Sequence, residues 1–117
     1  MNFFARFFAS VPELTAQDLQ EKLKGGKRPF LLDVRQPEEY RAGHIAGAKL
    51  IPLGELDKRM SEVPQEREII CVCASGSRSV PAARRLIAAG YTSVTNLKRG
   101  MMAWQQKKFA IKKGMSA

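Results

Sequence analysis

Glu68-Ile69-Ile70-Cys71-Val72 runs into Cys73-Ala74-Ser75-Gly76-Ser77-Arg78, and this into Ser79-Val80-Pro81-Ala82-Ala83-Arg84-Arg85-Leu86-Ile87-Ala88-Ala89-Gly90. The first block is a short apolar run of the kind that forms a buried strand. The last reads as a helix, with proline in its first turn, where a missing N–H is harmless, and glycine as its stop. Small and polar residues join them, and Gly76 is open to backbone angles closed to other residues. A strand passing through a tight loop into a helix is the repeating unit of a parallel α/β sheet. Chemistry in such sheets collects where loops leave the C-terminal ends of strands.

Outward from this unit the alternation continues. Phe30-Leu31-Leu32-Asp33-Val34, Lys49-Leu50-Ile51 and Ser93-Val94-Thr95-Asn96-Leu97 read as strands. One helical segment opens at Thr15 and Asp18, a capping box with Asp in place of Glu, takes Leu14, Leu19 and Leu23 as its apolar positions, and stops at Gly25-Gly26. Others run from Pro37 to Gly43, from Leu53 to Met60, and from Gly100 to Lys108. Strands and helices alternate roughly every 20 residues, which predicts an α/β fold with a parallel sheet and helices on both faces.

The chain has 117 residues, 44% apolar and 26% charged, which suits one domain with a modest core. Its net charge of +9 is unevenly placed: residues 1–72 balance 11 Lys/Arg against 11 Asp/Glu, whereas residues 73–117 carry 9 Lys/Arg and no acid. A one-sign field around a cleft concentrates anions there. A small anionic substrate fits that field, and so does an acidic protein partner. Nucleic acid is not expected, because neither aromatic interleaving nor a binding module accompanies the charge. Cys71 and Cys73 are too close in the chain for a useful structural bridge and too few for a secreted disulfide scaffold, so a reducing, cytoplasmic setting is expected. No stretch is long enough to span a membrane. Phe4, Phe7 and Phe8 share a helical face, but Arg6 breaks the run, and packing on the domain is expected over membrane contact.

Cys73 is the candidate nucleophile. Placed between a strand and a helix, its sulfur meets a ring of backbone N–H groups and the positive end of a helix dipole, and both favour thiolate over thiol. The same ring can hold an anion against the sulfur. Ala74, Ser75, Gly76, Ser77, Arg78 and Ser79 form the candidate substrate-binding loop, with hydroxyls from the serines and a fork of donors from Arg78. Cys73 and Arg78 have Cys-x4-Arg spacing. Cysteine phosphatases use one residue more, and the smaller ring suits a single projecting sulfur rather than a tetrahedral phosphate. Cys71, within the strand, reads as an inert buried thiol. Asp33 and Arg35 read as an ion pair that braces the adjoining loop, or as supporting charges that set the field of the site. His44, the only histidine, reads as a structural hydrogen-bonding residue, and with two near-adjacent cysteines beside it no metal site is expected. Met101, Met102 and Trp104 read as core or rim of the last helix.

Taken together, four blocks resemble a single rhodanese domain over residues 11–108. They are Leu32-Asp33-Val34-Arg35-Gln36-Pro37-Glu38-Glu39-Tyr40; Gly43-His44-Ile45-Ala46-Gly47-Ala48 with Ile51-Pro52; the Cys73–Ser79 loop; and Asn96-Leu97 with Gly100, Ala103 and Trp104. Residues 1–10 are then a Phe-rich extension and residues 109–117 a basic tail. The resemblance implies a central parallel sheet of five strands. It implies a sulfurtransferase in which Cys73 takes a sulfane sulfur from thiosulfate or a persulfide, becomes a persulfide, and yields the outer sulfur to cyanide or a thiol. The N–H groups of residues 74–78 would hold that sulfur and Arg78 the donor's sulfonate, with no metal or organic cofactor. A sulfur-carrier or docking module with little turnover of its own is the alternative; a phosphatase or arsenate reductase is disfavoured by the short loop. Two departures stand out. Ala74 occupies a position where many relatives place Arg, which points toward a persulfide or polysulfide donor. Arg99-Gly100 replaces a frequent pair of glycines, and Arg99 is expected near the mouth of the site.

Overall fold

The computed structural model describes residues 11–117, so the Phe4, Phe7 and Phe8 face lies outside the described residues. The strands are β1 (Glu13–Leu14), β2 (Phe30–Asp33), β3 (Lys49–Leu50), β4 (Ile69–Val72) and β5 (Val94–Leu97). All neighbours pair in parallel, in the order β1-β5-β4-β2-β3, so β4 is central. The helices are α1 (Ala16–Lys24), α2 (Pro37–Ala42), α3 (Leu56–Arg59, flanked by single 3-10 turns), α4 (Ser79–Ala88) and α5 (Gly100–Gln106). This is the parallel five-stranded α/β sheet that the resemblance implied.

The apolar strands are buried on both faces because helices cover both. Ile69 and Cys71 of β4 pack with Leu56 of α3 and with Ala82, Ala83 and Leu86 of α4. Ile70 and Val72 point the other way, to Leu19 of α1, Tyr40 of α2, and Met101 and Trp104 of α5. Each large aliphatic side chain buried in these layers contributes about 1.5–3 kcal/mol.

Two elements differ from the sequence expectation. Leu14 is not helical: Thr15 is the N-cap of α1, its hydroxyl accepts the Asp18 N–H at 3.1 Å, and its backbone is extended. A residue before an extended cap lies outside the helix, and here it joins the sheet, pairing Leu14 with Leu97 and Glu13 with Asn96. That is the fifth strand, which residue pattern alone did not reveal. The expected helix from Leu53 to Met60 is only one α-turn between two 3-10 turns. Elsewhere the stops are as read: Gly90 has φ +103 and closes α4, with its N–H donating to Ile87 O at 3.0 Å.

The basic tail folds back along the domain. Lys112 and His44 exchange two backbone hydrogen bonds of 3.0 and 2.7 Å, and the Trp104 indole donates to Ala110 O at 2.9 Å. The His44 ring is fully buried and stacked on Tyr40 with centroids 3.6 Å apart. Its Nδ1 is 2.8 Å from Tyr40 O and its Nε2 2.9 Å from Ser116 O, which is the structural role read for it. Among the described residues no helix is long and apolar enough to cross a membrane.

Candidate active site

Cys73 is the first residue past β4, where the chain leaves the ladder between β2 and β5. It is fully buried, with its sulfur tucked beneath the loop that follows. The Gly76 N–H donates to Sγ at 3.1 Å, and Ser79 Oγ lies 3.3 Å from it. Gly76 has φ +97, and a Cβ there would stand 3.0 Å from Arg99 N, so both conformation and space require glycine.

The loop is held from outside by α5. In the first turn of α5 the Met101 N–H donates to Cys73 O at 2.8 Å and the Met102 N–H to Ala74 O at 2.9 Å. These are N–H groups that a helix start leaves without an internal partner. In a trans peptide the carbonyl and the next N–H point in opposite directions. Turning the Cys73 and Ala74 carbonyls toward α5 therefore turns the Ala74 and Ser75 N–H groups away from it, toward the loop's interior. The contact is so close that a Cβ on Gly100 would lie 2.1 Å from Cys73 O.

A cleft of about 550 Å³ opens over this loop, lined by Arg35, Ala74, Ser75, Met101, Met102 and two glutamines of α5. Among the described residues its one lining cation is Arg35, not Arg78 or Arg99. Arg35 is buried and forked on Asp33, with contacts of 2.9, 3.2 and 2.8 Å, and donates to Gly43 O at 2.8 Å. The pair ties β2 to the turn after α2, as the bracing reading has it, while one edge of Arg35 faces the cleft. Arg78 points elsewhere, forming a bidentate pair with Glu39 of α2 at 2.7 and 2.8 Å. That hydrogen-bonded pair, more than any other influence, holds the Glu39 carboxyl down at about 2 and raises Arg78 above its ordinary value. Arg99 takes a left-handed backbone (φ +59) as the N-cap of α5, and its side chain lines a neighbouring groove of about 490 Å³ with Lys98 and Lys107. Burial pushes the Cys71 thiol up to about 12, in keeping with an inert core cysteine.

Ser75 and Ser77 join hydroxyls at 3.1 Å on the exposed side of the loop, whereas Ser79 is buried beneath it. The Ser79 hydroxyl is hydrogen-bonded to Asn96 Oδ1, and Asn96 Nδ2 donates to Glu13 Oε2 at 3.1 Å. Glu13, Glu39 and the role of Asn96 were missed in the sequence. The parallel register, which sets Glu13 against Asn96 and Asn96 against Cys71, brings those two to the loop, while Glu39 reaches it from α2 through Arg78. Among the described residues no group of three or more His, Cys, Asp or Glu could hold a metal ion.

A parallel sheet covered on both faces thus delivers a buried cysteine into a Cys-x4-Arg loop. The sequence profile of the rhodanese-like domain matches residues 15–107, and the chain belongs to that family. It is 36% identical over 94 residues to a sulfurtransferase of Allochromatium vinosum, covering 80% of this chain and 88% of that protein. It is 39% identical over 99 residues to YrkF of Bacillus subtilis, described as a candidate sulfur carrier, covering 85% of this chain but only 54% of that one. Among solved structures, thiosulfate sulfurtransferase from Pseudomonas aeruginosa superposes with a TM-score of 0.82 at 28% identity, over 91% of this chain and 21% of that one. A rhodanese-like domain protein from Staphylococcus aureus does so with a TM-score of 0.77 at 33% identity, over 80% and 91%.

Proposed function

We propose that this chain moves sulfane sulfur through a persulfide on Cys73, drawing it more readily from a persulfide or polysulfide than from thiosulfate. The observation that carries the reading is the seating of Sγ inside the small loop, in contact with the Gly76 N–H and the Ser79 hydroxyl. The Cys73 thiolate attacks the outer sulfur of R–S–S⁻, the donor S–S bond breaks, and the thiolate R–S⁻ leaves with the bonding pair. With thiosulfate the leaving group is sulfite. A thiol acceptor, or cyanide, then attacks the outer sulfur of the Cys73 persulfide, and the Cys73 thiolate is restored. Backbone N–H groups of residues 74–78 receive the outer sulfur and its charge. No metal or organic cofactor enters.

The donor preference rests on charge. Thiosulfate carries two negative charges, and relatives with Arg after the cysteine have a free cation to meet them. Here that position is Ala74, Arg78 is paired with Glu39, and Arg35 is paired with Asp33. A donor that does not need a sulfonate site suits such a loop better. The exposed Lys98, Arg99 and Lys107 beside α5, which form no ion pair among the described residues, favour an acidic protein as the physiological acceptor, and the two free thiols suit a reducing, cytoplasmic setting.

Intact mass after exposure to thiosulfate or to inorganic polysulfide, with Cys73→Ser as control, tests the reading. One added sulfur atom, greater with polysulfide, absent in the control and removed by a thiol, is expected. A wild-type protein that gains no sulfur from either donor refutes it.

A further inference from the structure

We infer that Glu13 and Asn96 are positioning residues for Cys73: through the orientation of the Asn96 amide they set whether the Ser79 hydroxyl gives its proton to the sulfur. This role rests on the persulfide reading above. The parallel register puts Glu13 of β1, Asn96 of β5 and Cys71 of β4 in one row across the sheet, with Ser79 at the start of α4 above it. Paired residues of neighbouring strands point to the same face, so the row passes directly under the Cys73 loop.

The hydrogen-bond inventory of this row is tightly constrained. Ser79 and Asn96 are fully buried. Ser79 Oγ is within reach of three acceptors, namely Cys73 Sγ at 3.3 Å, Gly76 O at 3.2 Å and Asn96 Oδ1. A hydroxyl has one proton to give. Asn96 Nδ2 faces Glu13 Oε2 at 3.1 Å and Gly76 O at 3.5 Å, so both amide protons are turned toward acceptors and the amide oxygen faces Ser79. The contact between Ser79 Oγ and Asn96 Oδ1 is the shortest of the three and needs a proton that only Ser79 can supply, whereas Gly76 O also has the Asn96 Nδ2–H as a donor. The Ser79 proton is therefore committed to Asn96, and a lone pair of Oγ faces the sulfur. That arrangement accepts an S–H and offers nothing to a thiolate.

For Ser79 to donate to a thiolate or a persulfide, Asn96 must turn over and present its NH2 to Oγ. The turned amide would bring its oxygen against the Glu13 carboxylate, which has no proton to give. Glu13 thus holds the row in the direction that suits the thiol. Glutamine at position 13 accepts or donates equally well, so it releases the amide, lets Ser79 donate to the sulfur, and favours the thiolate. The other charged or titratable groups around Cys73 are Arg78 with Glu39, Arg35 with Asp33, Arg99 at the start of α5, and Cys71 on β4. None of them changes among the variants below.

The test is a double-mutant cycle read by the pH dependence of Cys73 alkylation, with iodoacetamide as probe and the modified residue located by fragment mass. In Glu13→Gln the midpoint of the rate-against-pH curve moves to lower pH, and the rate below the midpoint rises roughly three- to tenfold, tenfold corresponding to one pH unit. In the Asn96→Ala background the same Glu13→Gln substitution moves nothing. Should Asn96→Ala fail to fold, Ser79→Ala serves as the background with the same expectation. An unmoved midpoint in Glu13→Gln overturns the inference. So does an equal shift in both backgrounds, which marks a field acting through space. The same samples are exposed to polysulfide. If the wild type gains no sulfur, the persulfide reading falls and this role with it; if the wild type is loaded and the midpoint stays put, only this role falls.

Discussion

Replacing Gly100 by alanine tests whether α5 is the clamp that shapes the Cys73 loop. The added methyl would stand 2.1 Å from Cys73 O and 2.9 Å from Cys73 C, backbone atoms that cannot swing aside as a flexible side chain would. The backbone at position 100 has φ +51, and a side chain in the left-handed region adds about 1–2 kcal/mol. To relieve the overlap α5 must retreat, lengthening the Met101 N–H to Cys73 O and Met102 N–H to Ala74 O bonds, now 2.8 and 2.9 Å. Each contributes about 1 kcal/mol. The total, about 3–4 kcal/mol, converts at about 4 °C per kcal/mol for a domain of this size into a fall of roughly 12–16 °C in Tm. Thermal unfolding by circular dichroism reads it, with Gly54→Ala as the control, because nothing lies within 4 Å of a Cβ there and its backbone carries no positive φ. Sulfur loading should fall with Tm, since the freed carbonyls no longer aim the loop N–H groups inward. A fall under about 4 °C, or an equal fall in Gly54→Ala, would refute the clamp.

The Arg78–Glu39 pair predicts an acid-side loss of stability. A carboxyl held near 2 by its arginine contributes above its ordinary value of 4.5, and that contribution drains away as pH falls from about 4.5 toward 2. The pair is about one-third exposed (35% and 31%), so after screening the effect is about 1 kcal/mol. Urea unfolding should show a shallower acid limb in Glu39→Gln; an unchanged limb would remove the pair from the account. Cys71→Ala should keep its sulfur loading and lose about 1 kcal/mol for the small cavity, and loss of loading would mean that Cys71 takes part. In His44→Phe the stack on Tyr40 survives while the contacts to Tyr40 O and Ser116 O vanish. Hydrogen exchange at the Lys112 and Gly114 amides, which bond to His44 O and Arg41 O, should then accelerate at least tenfold.

Most of the sheet was legible because its strands are fully buried apolar runs and its helices carry their own punctuation: Thr15 at a start, Pro81 in a first turn, Gly90 at a stop. β1 was not legible because two residues carry no period, and Leu14 is as apolar at the foot of a helix as on a sheet edge. Cys73 stood out because small residues follow it. Its surroundings did not. Arg78 reads as a free donor until the fold sets Glu39 of α2 within 2.7 Å of it. Asn96 reads as a polar residue in a strand until the register places Glu13 on one side of it and Ser79 on the other. Contacts across 39 or 83 positions of chain leave no local signature.

Cys71 and Cys73 make the same point at the end of one strand. They lie two residues apart, face the same apolar layer and are both fully buried. Composition and burial therefore cannot separate them. What differs is where the ladder ends. The Cys71 backbone is still paired, with Leu32 on one side and Asn96 on the other, and its thiol lies in the apolar layer, where burial penalises charge. After Val72 the pairing stops, the chain curls, and N–H groups that a longer strand would have spent on its neighbours turn toward the next sulfur. The Cys73 carbonyl, freed in the same way, is taken up by α5. The site is thus made by the end of β4 as much as by the residues of the loop. Lengthening β4 by one residue should silence Cys73 without touching any side chain of the loop.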